Sequence, residues 1–176
     1  GMDHSKHMAM MKDTGYARSV HGYVVPDLTM LNQDGREVSL RSVLEPAAPL
    51  MVNFVFTTCA TICPVMSATF AQVQRSLGDE AMNVRMVSVS IDPEHDSPER
   101  LREYAQRFEA GPRWTFLTGS LEDSIAVQKA LDVYRGNKMN HEPTTLLWHP
   151  NENAWVRMDG LAGAEDIVTE YRRLVG

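Results

Sequence analysis

The chain has 176 residues, of which 43% are hydrophobic and 23% charged, and its formal net charge is -6. This length and composition are typical of one globular domain with a substantial core. The acidic balance and the lack of any lysine–arginine run argue against nucleic acid or an anionic membrane surface as a partner. No stretch approaches the roughly 18 apolar residues that a membrane-spanning helix requires.

The chain is predicted to begin with a tail and a hairpin. Residues 1–18 lack apolar periodicity and are rich in methionine and histidine. This pattern predicts a flexible tail, followed by one folded domain over residues 19–176. Apolar residues at 22–25 and 37–40 flank Asp34-Gly35, a dipeptide typical of hairpin turns, so they predict an N-terminal hairpin.

The rest of the chain alternates between strand and helix patterns. The apolar run 50–56 predicts a strand buried on both faces, and Pro64 suits the first position of a helix that Gly78 ends. The later predicted elements are a strand at 85–91, a helix from Ser97, a strand at 114–117, a helix capped by Ser120, strands at 144–148 and 155–158, and a last helix reaching 175. This alternation predicts an α/β fold with a mostly parallel central sheet and helices on both faces.

Cys59 and Cys63 are the only cysteines, and they lie four residues apart between a buried strand and a helix start. A helix N-terminus favours thiolate over thiol. At this spacing the two sulfurs can either form a disulfide or bind one ion. The pair therefore predicts a metal clamp, a redox dithiol or both. A purely structural disulfide is disfavoured, because so short a loop constrains little of the unfolded chain.

Two thiolates leave a metal ion with too few ligands, and two cysteines cannot build a four-sulfur zinc site. A third ligand must come from a histidine, methionine or carboxylate. Sulfur donors combined with an imidazole suit copper. The chain has six histidines, so spacing alone does not identify the third ligand.

Three segments resemble the Sco/SenC family of copper-binding cytochrome oxidase assembly proteins. Residues 54–64, with the sequence FVFTTCATICP, are similar to the family's copper-site segment, and residues 90–98, with the sequence SIDPEHDSP, match its DPxxDxP stretch. Tyr134-Arg135 and His141 fall where family members carry the loop with the copper-binding histidine. The resemblance covers roughly residues 20–175.

The resemblance implies a thioredoxin-like three-layer α/β fold, with a central mixed sheet flanked by helices. It also implies one copper ion held by Cys59, Cys63 and His141. Asp92 matches an aspartate near the family's copper site, where it could hold the ligands in place by hydrogen bonds. An equally good interpretation is that Asp92 caps the helix that follows Ser97.

The function implied by the resemblance is that of a metallochaperone. It would deliver copper to the subunit of cytochrome c oxidase that carries the Cu-A centre, and another periplasmic copper chaperone is a second possible partner. The alternative is a thiol–disulfide oxidoreductase that uses Cys59 and Cys63 as a redox dithiol. The family resemblance also implies a periplasmic or extracytoplasmic location, with a membrane anchor outside this chain.

Pro143-Thr144, just after His141, is similar to the cis-proline segment of thiol–disulfide oxidoreductases and so favours the redox alternative. A trans proline at a strand start is also permitted. A peroxidase of the peroxiredoxin kind is disfavoured, since Phe56 stands three residues before Cys59, where that kind has a threonine.

Sulfur and imidazole donors are also dense near the N-terminus, at Met2, His4, His7, Met8, Met10 and Met11. Such donors could capture copper transiently, or the segment could be no more than a flexible tail. Met139 lies two residues before His141. Most other methionines are expected to fill the core or the surface.

Overall fold

One eight-stranded sheet runs through the computed structural model, which describes residues 15–152 and 154–176. Its strand order is β1-β8-β7-β4-β5-β6-β2-β3. The strands are β1 Tyr16–His21, β2 Thr29–Asn32, β3 Glu37–Ser39, β4 Leu50–Val55, β5 Arg85–Ser90, β6 Trp114–Thr118, β7 Thr144–Trp148 and β8 Trp155–Gly160. The helices are α1 Leu40–Leu44, α2 Ile62–Leu77, α3 Pro98–Arg107, α4 Leu121–Ala130 and α5 Ala164–Val175, with short 3-10 helices at Gly78–Asn83 and Lys138–Asn140.

The sheet is mixed. Strands β4, β5 and β6 run parallel, whereas β7 is antiparallel to β4 and β8 to β7. All six residues of β4 are buried, which confirms the prediction of a strand covered on both faces. Because β4 is central, the loop that leaves its carboxyl end lies near the middle of the sheet, at the end where the parallel strands terminate.

Helices cover both faces of the sheet. One core packs α2, α3 and α5 against the sheet, with Phe70, Leu101 and Ile167 among its buried side chains. The other core packs α1 and α4 through Leu44 and Val127. This arrangement is the three-layer, thioredoxin-like α/β fold that the resemblance implied.

The N-terminal hairpin is present, but its first strand is not the predicted one. It pairs β2 with β3, and the turn closes through the Gly35 N–H, which donates to the Asn32 carbonyl at 3.0 Å. The prediction of a strand at 22–25 was wrong: these residues form no strand. Pro26, which follows directly, has no N–H to continue a ladder.

The boundary between tail and domain falls earlier than residue 19. Strand β1 begins at Tyr16 and pairs along its whole length with β8. Residues 1–14, which hold most of the predicted flexible tail, lie outside the described residues, so that prediction stays a prediction. Within the described ranges, no helix is long and apolar enough to cross a membrane.

Helix ends mostly follow the predicted signals. Ser97 and Ser120 cap α3 and α4 by accepting the N–H groups of Arg100 and Asp123. Gly78 ends α2 with a φ of 56°. Helix α2 begins at Ile62, so the first turn includes Cys63 and places it directly at the helix N-terminus.

Candidate metal centre

The two cysteines lie in the loop that joins the buried strand β4 to helix α2. The Cys59 N–H donates to the Phe56 carbonyl at 3.0 Å, which turns the chain sharply after the strand. The Cys63 N–H lies 3.5 Å from the Cys59 Sγ, and the Thr61 hydroxyl lies 3.7 Å from the same sulfur. Both cysteines are free thiols. The helix start therefore brings its unpaired N–H groups to the Cys59 sulfur.

The two thiols have different surroundings. Cys59 is partly exposed, whereas Cys63 is fully buried. Burial works against ionisation of Cys59, but hydrogen bonds from the Cys63 and Thr61 backbone outweigh it and lower the Cys59 pKa below its ordinary value of 9.0. Burial raises the pKa of Cys63 to about 12. Cys59 is therefore the accessible and more readily ionised sulfur.

A buried carboxylate holds the beginning of the cysteine loop. Asp96 is fully buried and accepts the Thr57 N–H at 3.1 Å and the Thr57 hydroxyl at 2.5 Å. It also accepts the Ser90 hydroxyl at 2.7 Å. Asp96 thus ties the end of β5 to the first residues of the loop. No role was predicted for Asp96 from the sequence, although the DPxxDxP stretch contains it.

His141 lies at the same end of β4 as the cysteine loop, just before β7, which flanks β4 on the side opposite β5. It follows the 3-10 turn Lys138–Asn140, and its Nε2 lies 3.2 Å from the Phe54 carbonyl oxygen. A carbonyl oxygen can only accept, so Nε2 carries the proton and Nδ1 keeps its lone pair. Metal-binding histidines commonly donate their second N–H in this way.

The environment of His141 favours the neutral imidazole. Burial lowers its pKa below the ordinary 6.5, the hydrogen bond to the Phe54 carbonyl opposes this effect, and the charge on Arg135 lowers the pKa further. A neutral ring at neutral pH is the form that can bind a metal ion.

Asp92 lies beside the histidine loop, the segment that contains the turn Lys138–Asn140 and His141. It accepts from the Lys138 Nζ at 2.7 Å and lies 3.0 Å from the His95 Nδ1. Burial opposes its ionisation, but Lys138 and His95 outweigh burial and lower the Asp92 pKa. Ser97, and not Asp92, caps α3, so the capping interpretation of Asp92 was wrong. Asp92 instead holds the histidine loop through Lys138.

Lys138, in the turn before His141, also contacts the segment that leads into the cysteine loop. Besides pairing with Asp92, its Nζ lies 5.6 Å from the centre of the Phe56 ring, at the start of the cysteine loop. A pocket of about 280 Å³ opens beside this contact and is lined by Asp92, His95, Lys138 and His141. Nothing in the sequence singled out Lys138, because its partners lie 46 residues or more away along the chain.

The donor set fits a soft metal ion, although the three predicted ligands do not form a closed cage. No three His, Cys, Asp or Glu side chains within residues 15–152 and 154–176 are grouped closely enough to hold a metal. The structure brings the two sulfurs together and places the imidazole at the neighbouring strand. Two sulfurs and an imidazole with a free Nδ1 are donors that suit Cu(I).

Two further sequence features have clear outcomes. No peptide bond among the described residues is cis, so Pro143 is a trans proline at the start of β7. Met139 is 75% exposed on the turn before His141. The Met/His-rich residues 2–11 lie outside the described part of the chain.

Comparison with known proteins identifies the family. The SCO1/SenC family model matches residues 17–176. The SCO1 protein homolog of Bacillus subtilis is 39% identical over 104 residues, which cover 58% of this chain and 53% of that protein. The aligned region thus spans about half the length of that relative.

Two solved structures share the fold. BsSco, a member of the Sco family of cytochrome c oxidase assembly proteins with a disulfide switch, matches with a TM-score of 0.72 at 29% identity, covering 87% of this chain and 94% of its own. ScoI of Bradyrhizobium japonicum with copper bound matches with a TM-score of 0.71 at 22% identity, covering 86% and 99%. Since the family model covers nearly all of the described domain, the chain belongs to the SCO1/SenC family.

Proposed function

We propose that this protein is a copper metallochaperone for the assembly of cytochrome c oxidase. Its cargo would be one copper ion held by the Cys59 and Cys63 sulfurs and the His141 Nδ1. The observation that carries the proposal is the pairing of two thiols at a helix N-terminus just after β4, together with an imidazole whose Nε2 donates to the Phe54 carbonyl at the end of the same strand. Family membership and copper in the related ScoI structure support it.

The unequal exposure of the two sulfurs suits a carrier that must release its cargo. Cys63 is buried and would act as the fixed anchor, while the partly exposed Cys59 would be open to a partner's ligands. Ligand exchange could then proceed at Cys59 while Cys63 keeps hold of the ion. Thiolate and imidazole ligands suit Cu(I), which accepts low coordination numbers.

Binding of one ion by all three groups requires the His141 ring to move toward the sulfurs, because the three side chains are not grouped closely enough to hold a metal. The turn that carries His141 is anchored by Lys138 on Asp92, so the ring can turn while its backbone stays in place. We expect this anchoring to keep the imidazole near the sulfurs in the copper-free protein. It would reduce the cost of ordering the loop when copper binds.

The test is the Cu(I) content and affinity of the reduced protein, measured by competition with a chromophoric Cu(I) chelator. The wild-type protein should bind one copper per chain. His141→Ala should weaken binding about a hundredfold, which corresponds to a few kcal/mol for the loss of one of three ligands. Oxidation to the Cys59–Cys63 disulfide should abolish tight binding, since it removes both thiolates.

His95→Ala is the matched control. His95 is the other imidazole at the pocket, but its ring is 56% exposed and pairs with Asp92. Its replacement should leave copper affinity nearly unchanged. If His95→Ala abolishes binding while His141→Ala does not, the proposed ligand set is wrong. Equal copper loading of the reduced and oxidised proteins would contradict the metallochaperone proposal itself.

A thiol–disulfide oxidoreductase is the second candidate, favoured by the partly exposed Cys59, whose pKa is lowered by backbone hydrogen bonds, beside the buried Cys63. The Cys59 thiolate would attack a partner's disulfide, form a mixed disulfide and release one partner sulfur as a thiolate. Cys63 would then lose its proton and attack the Cys59 sulfur, which frees the second partner sulfur and leaves a Cys59–Cys63 disulfide. The disulfide switch of BsSco supports this chemistry.

Reduction of a disulfide-bonded peptide from the Cu-A segment of the oxidase would distinguish the two functions. If the protein is an oxidoreductase, it should reduce the peptide catalytically, and this activity should require both cysteines but persist in His141→Ala. If the protein is a metallochaperone, it should transfer copper to the reduced peptide, and His141→Ala should abolish this transfer.

We further propose a periplasmic or extracytoplasmic location with a membrane anchor, and the oxidase subunit with the Cu-A centre as the partner.

A further inference from the structure

An aromatic pocket lies at the end of the sheet opposite the cysteines. Trp148, the last residue of β7, pairs with Trp155, the first residue of β8, and with Leu50, the first residue of β4. Cys59 follows the other end of β4. At about 3.3 Å per residue, the length of β4 separates its two ends by roughly 17 Å. A side chain bound in this pocket therefore does not cover the cysteine loop.

Three aromatic rings line the pocket. The ring centres of Trp148 and Trp155 lie 6.2 Å apart, and the Tyr23 ring centre also lies 6.2 Å from that of Trp155. Trp155 is buried, whereas Trp148 and Tyr23 are only partly buried against the same core. The Arg157 Nη1 donates to the Tyr23 hydroxyl at 2.9 Å, and the charge of Arg157 is paired with Asp159. The rings are thus held in place by packing and by a hydrogen bond before any ligand binds.

Two glutamates complete the lining of the pocket. It has a volume of about 250 Å³ and is lined by Tyr23, Glu45, Trp148, Pro150, Glu152 and Trp155. Glu45 is the C-cap residue of α1, and Glu152 lies in the turn between β7 and β8. Neither glutamate forms an ion pair with any residue that the structure describes. Arg41, one turn before Glu45, donates to the Val25 carbonyl at 3.1 Å instead. The lining therefore has two negative charges and, among the described residues, no basic side chain to balance them.

Aromatic rings combined with unpaired carboxylates favour an organic cation. A cation is attracted to the face of an aromatic ring, and most strongly to tryptophan. A guanidinium group also stacks on such rings and can donate two parallel N–H bonds to one carboxylate. A quaternary ammonium binds aromatic rings too, but it has no N–H to donate to the glutamates. A lysine ammonium is more strongly hydrated than a guanidinium and loses more when it leaves water. The pocket is therefore best suited to a guanidinium group.

We propose that this pocket binds an arginine side chain of a partner protein, with the guanidinium against the tryptophan rings and its N–H groups directed to Glu45 and Glu152. The pocket is smaller than the roughly 300–1,000 Å³ of pockets for drug-sized ligands, as suits a single side chain. The net charge of -6 also favours a basic partner. The inference is independent of the copper function proposed above, because no proposed copper ligand lines the pocket. A partner held here would leave the cysteine loop free.

Binding is tested by following the indole N–H signals of the three tryptophans in proton–nitrogen correlation spectra. The probe is the peptide acetyl-Gly-Arg-Gly-amide. The signals of Trp148 and Trp155 should shift and saturate with a Kd of about 1–10 mM. Trp114 is the internal control, because its side chain is buried and its indole N–H donates to the Ser88 hydroxyl, so its signal should stay in place. The absence of a saturable shift, or equal shifts of all three signals, would overturn the proposal.

Matched probes distinguish the chemical classes of ligand. Citrulline in place of arginine keeps the shape of the side chain and removes its charge, so this peptide should bind at least about fivefold more weakly. The corresponding lysine peptide should bind at least about threefold more weakly than the arginine peptide. Choline, the cation of a common lipid headgroup, should also bind at least about threefold more weakly, since it cannot donate to the glutamates. If any of these three probes binds as tightly as the arginine peptide, the assignment to arginine is wrong.

Variants of the pocket test its location. Glu45→Gln combined with Glu152→Gln keeps the size of both side chains and removes their charges, so the Kd of the arginine peptide should rise at least about fivefold. Trp148→Leu should raise the same Kd at least about threefold, measured on the Trp155 signal. The matched control is Glu37→Gln combined with Glu103→Gln, which removes two charges from exposed glutamates outside the pocket and should change the Kd less than about twofold. Equal effects of the two double variants would mean that the peptide responds only to net charge, and would overturn the proposal.

Discussion

The Cys63 N–H lies 3.5 Å from the Cys59 sulfur, so the first turn of α2 stabilises a thiolate on the residue just outside the helix. This contact and the unequal burial of the two sulfurs make the cysteines chemically different, although they are only four residues apart. Cys59 gains hydrogen bonds and exposure, whereas Cys63 is fully buried. The difference has a direct consequence for their reactivity.

Cys59 should react with iodoacetamide at least about tenfold faster than Cys63 at pH 7.5, because reactivity follows thiolate content and access. Both cysteines fall in the same tryptic peptide, so the rates should be measured by intact mass on Cys63→Ser and Cys59→Ser proteins. In the first variant only Cys59 can react, and in the second only Cys63. Equal rates in the two variants would contradict the assignment of Cys59 as the reactive sulfur.

Asp96→Ala should strongly destabilise the protein, because three donors on Thr57 and Ser90 would lose a buried charged acceptor. We expect a loss of about 3–5 kcal/mol in the free energy of unfolding, because each of the three donors left without an acceptor costs about 1–3 kcal/mol. Urea unfolding followed by tryptophan fluorescence measures this. Asp34→Ala is the control, since the Asp34 side chain is 61% exposed in the hairpin turn, and it should cost less than about 0.5 kcal/mol. A loss below about 1 kcal/mol for Asp96→Ala would show that the network contributes little.

The elements on either side of the cysteine loop could be predicted from the sequence because their signals are local. The buried strand and the helix that follows the cysteines lie within residues 50–77, and both were confirmed, although the helix begins at Ile62 and not at Pro64. The role of Asp96 could not be predicted in this way. Its partner Thr57 lies 39 residues away, and only the parallel pairing of β4 with β5 brings the two together.

The errors also have physical causes. The apolar residues before Pro26 look like a strand, but the place beside β3 that they were predicted to fill is taken by β2. Sequence patterns give no information on such competition between segments for one edge. The hydrogen bond of the His141 Nε2 to the Phe54 carbonyl could not be predicted either. It forms because the pairing of β7 with β4 ends at Val52, which leaves the Phe54 carbonyl open to the histidine.

Lys138→Met should lower copper affinity about tenfold without removing any ligand, as is usual when a group that orients a metal ligand is lost. The ion pair with Asp92 holds the turn before His141, and the substitution removes both this pair and the contact of the Lys138 Nζ with the Phe56 ring. Copper affinity is measured by Cu(I) chelator competition. Lys129→Met is the control, because Lys129 makes a similar contact with the Tyr134 ring at 5.2 Å but does not touch Asp92. Equal effects of the two substitutions would contradict the role of the ion pair.

Lys138→Met should also lower the free energy of unfolding of the copper-free protein, by an amount that depends on pH. Burial disfavours the Asp92 carboxylate, but Lys138 and His95 lower its pKa below the ordinary 3.8. A lowered carboxyl pKa contributes stability above the unfolded-state pKa, and that contribution is lost as the pH falls through the folded-state pKa. Wild type should therefore exceed Lys138→Met in stability at pH 7, and the gap should shrink below about pH 4. A gap that is constant from pH 7 to pH 3 would contradict this.

Lowering the pH below neutrality should destabilise the copper-free protein through His141. Burial holds the His141 pKa below 6.5, against the opposing hydrogen bond to the Phe54 carbonyl. The unfolded chain takes up the imidazole proton near pH 6.5, whereas the folded protein takes it up only at lower pH. Below pH 6.5 the unfolded state thus binds more protons, and stability decreases until the pH falls past the folded-state pKa.

His141→Gln separates this effect from the other titrating groups. A glutamine amide can still donate to the Phe54 carbonyl, but it has no proton to gain between pH 7.5 and 5.5. Urea unfolding at these two pH values should show a larger loss of stability for wild type than for His141→Gln. Because every other ionisable group is common to both proteins, the difference between the two losses reports His141 alone. Equal losses would mean that the His141 ring titrates as freely in the folded protein as in the unfolded chain, and that burial does not hold it neutral for metal binding.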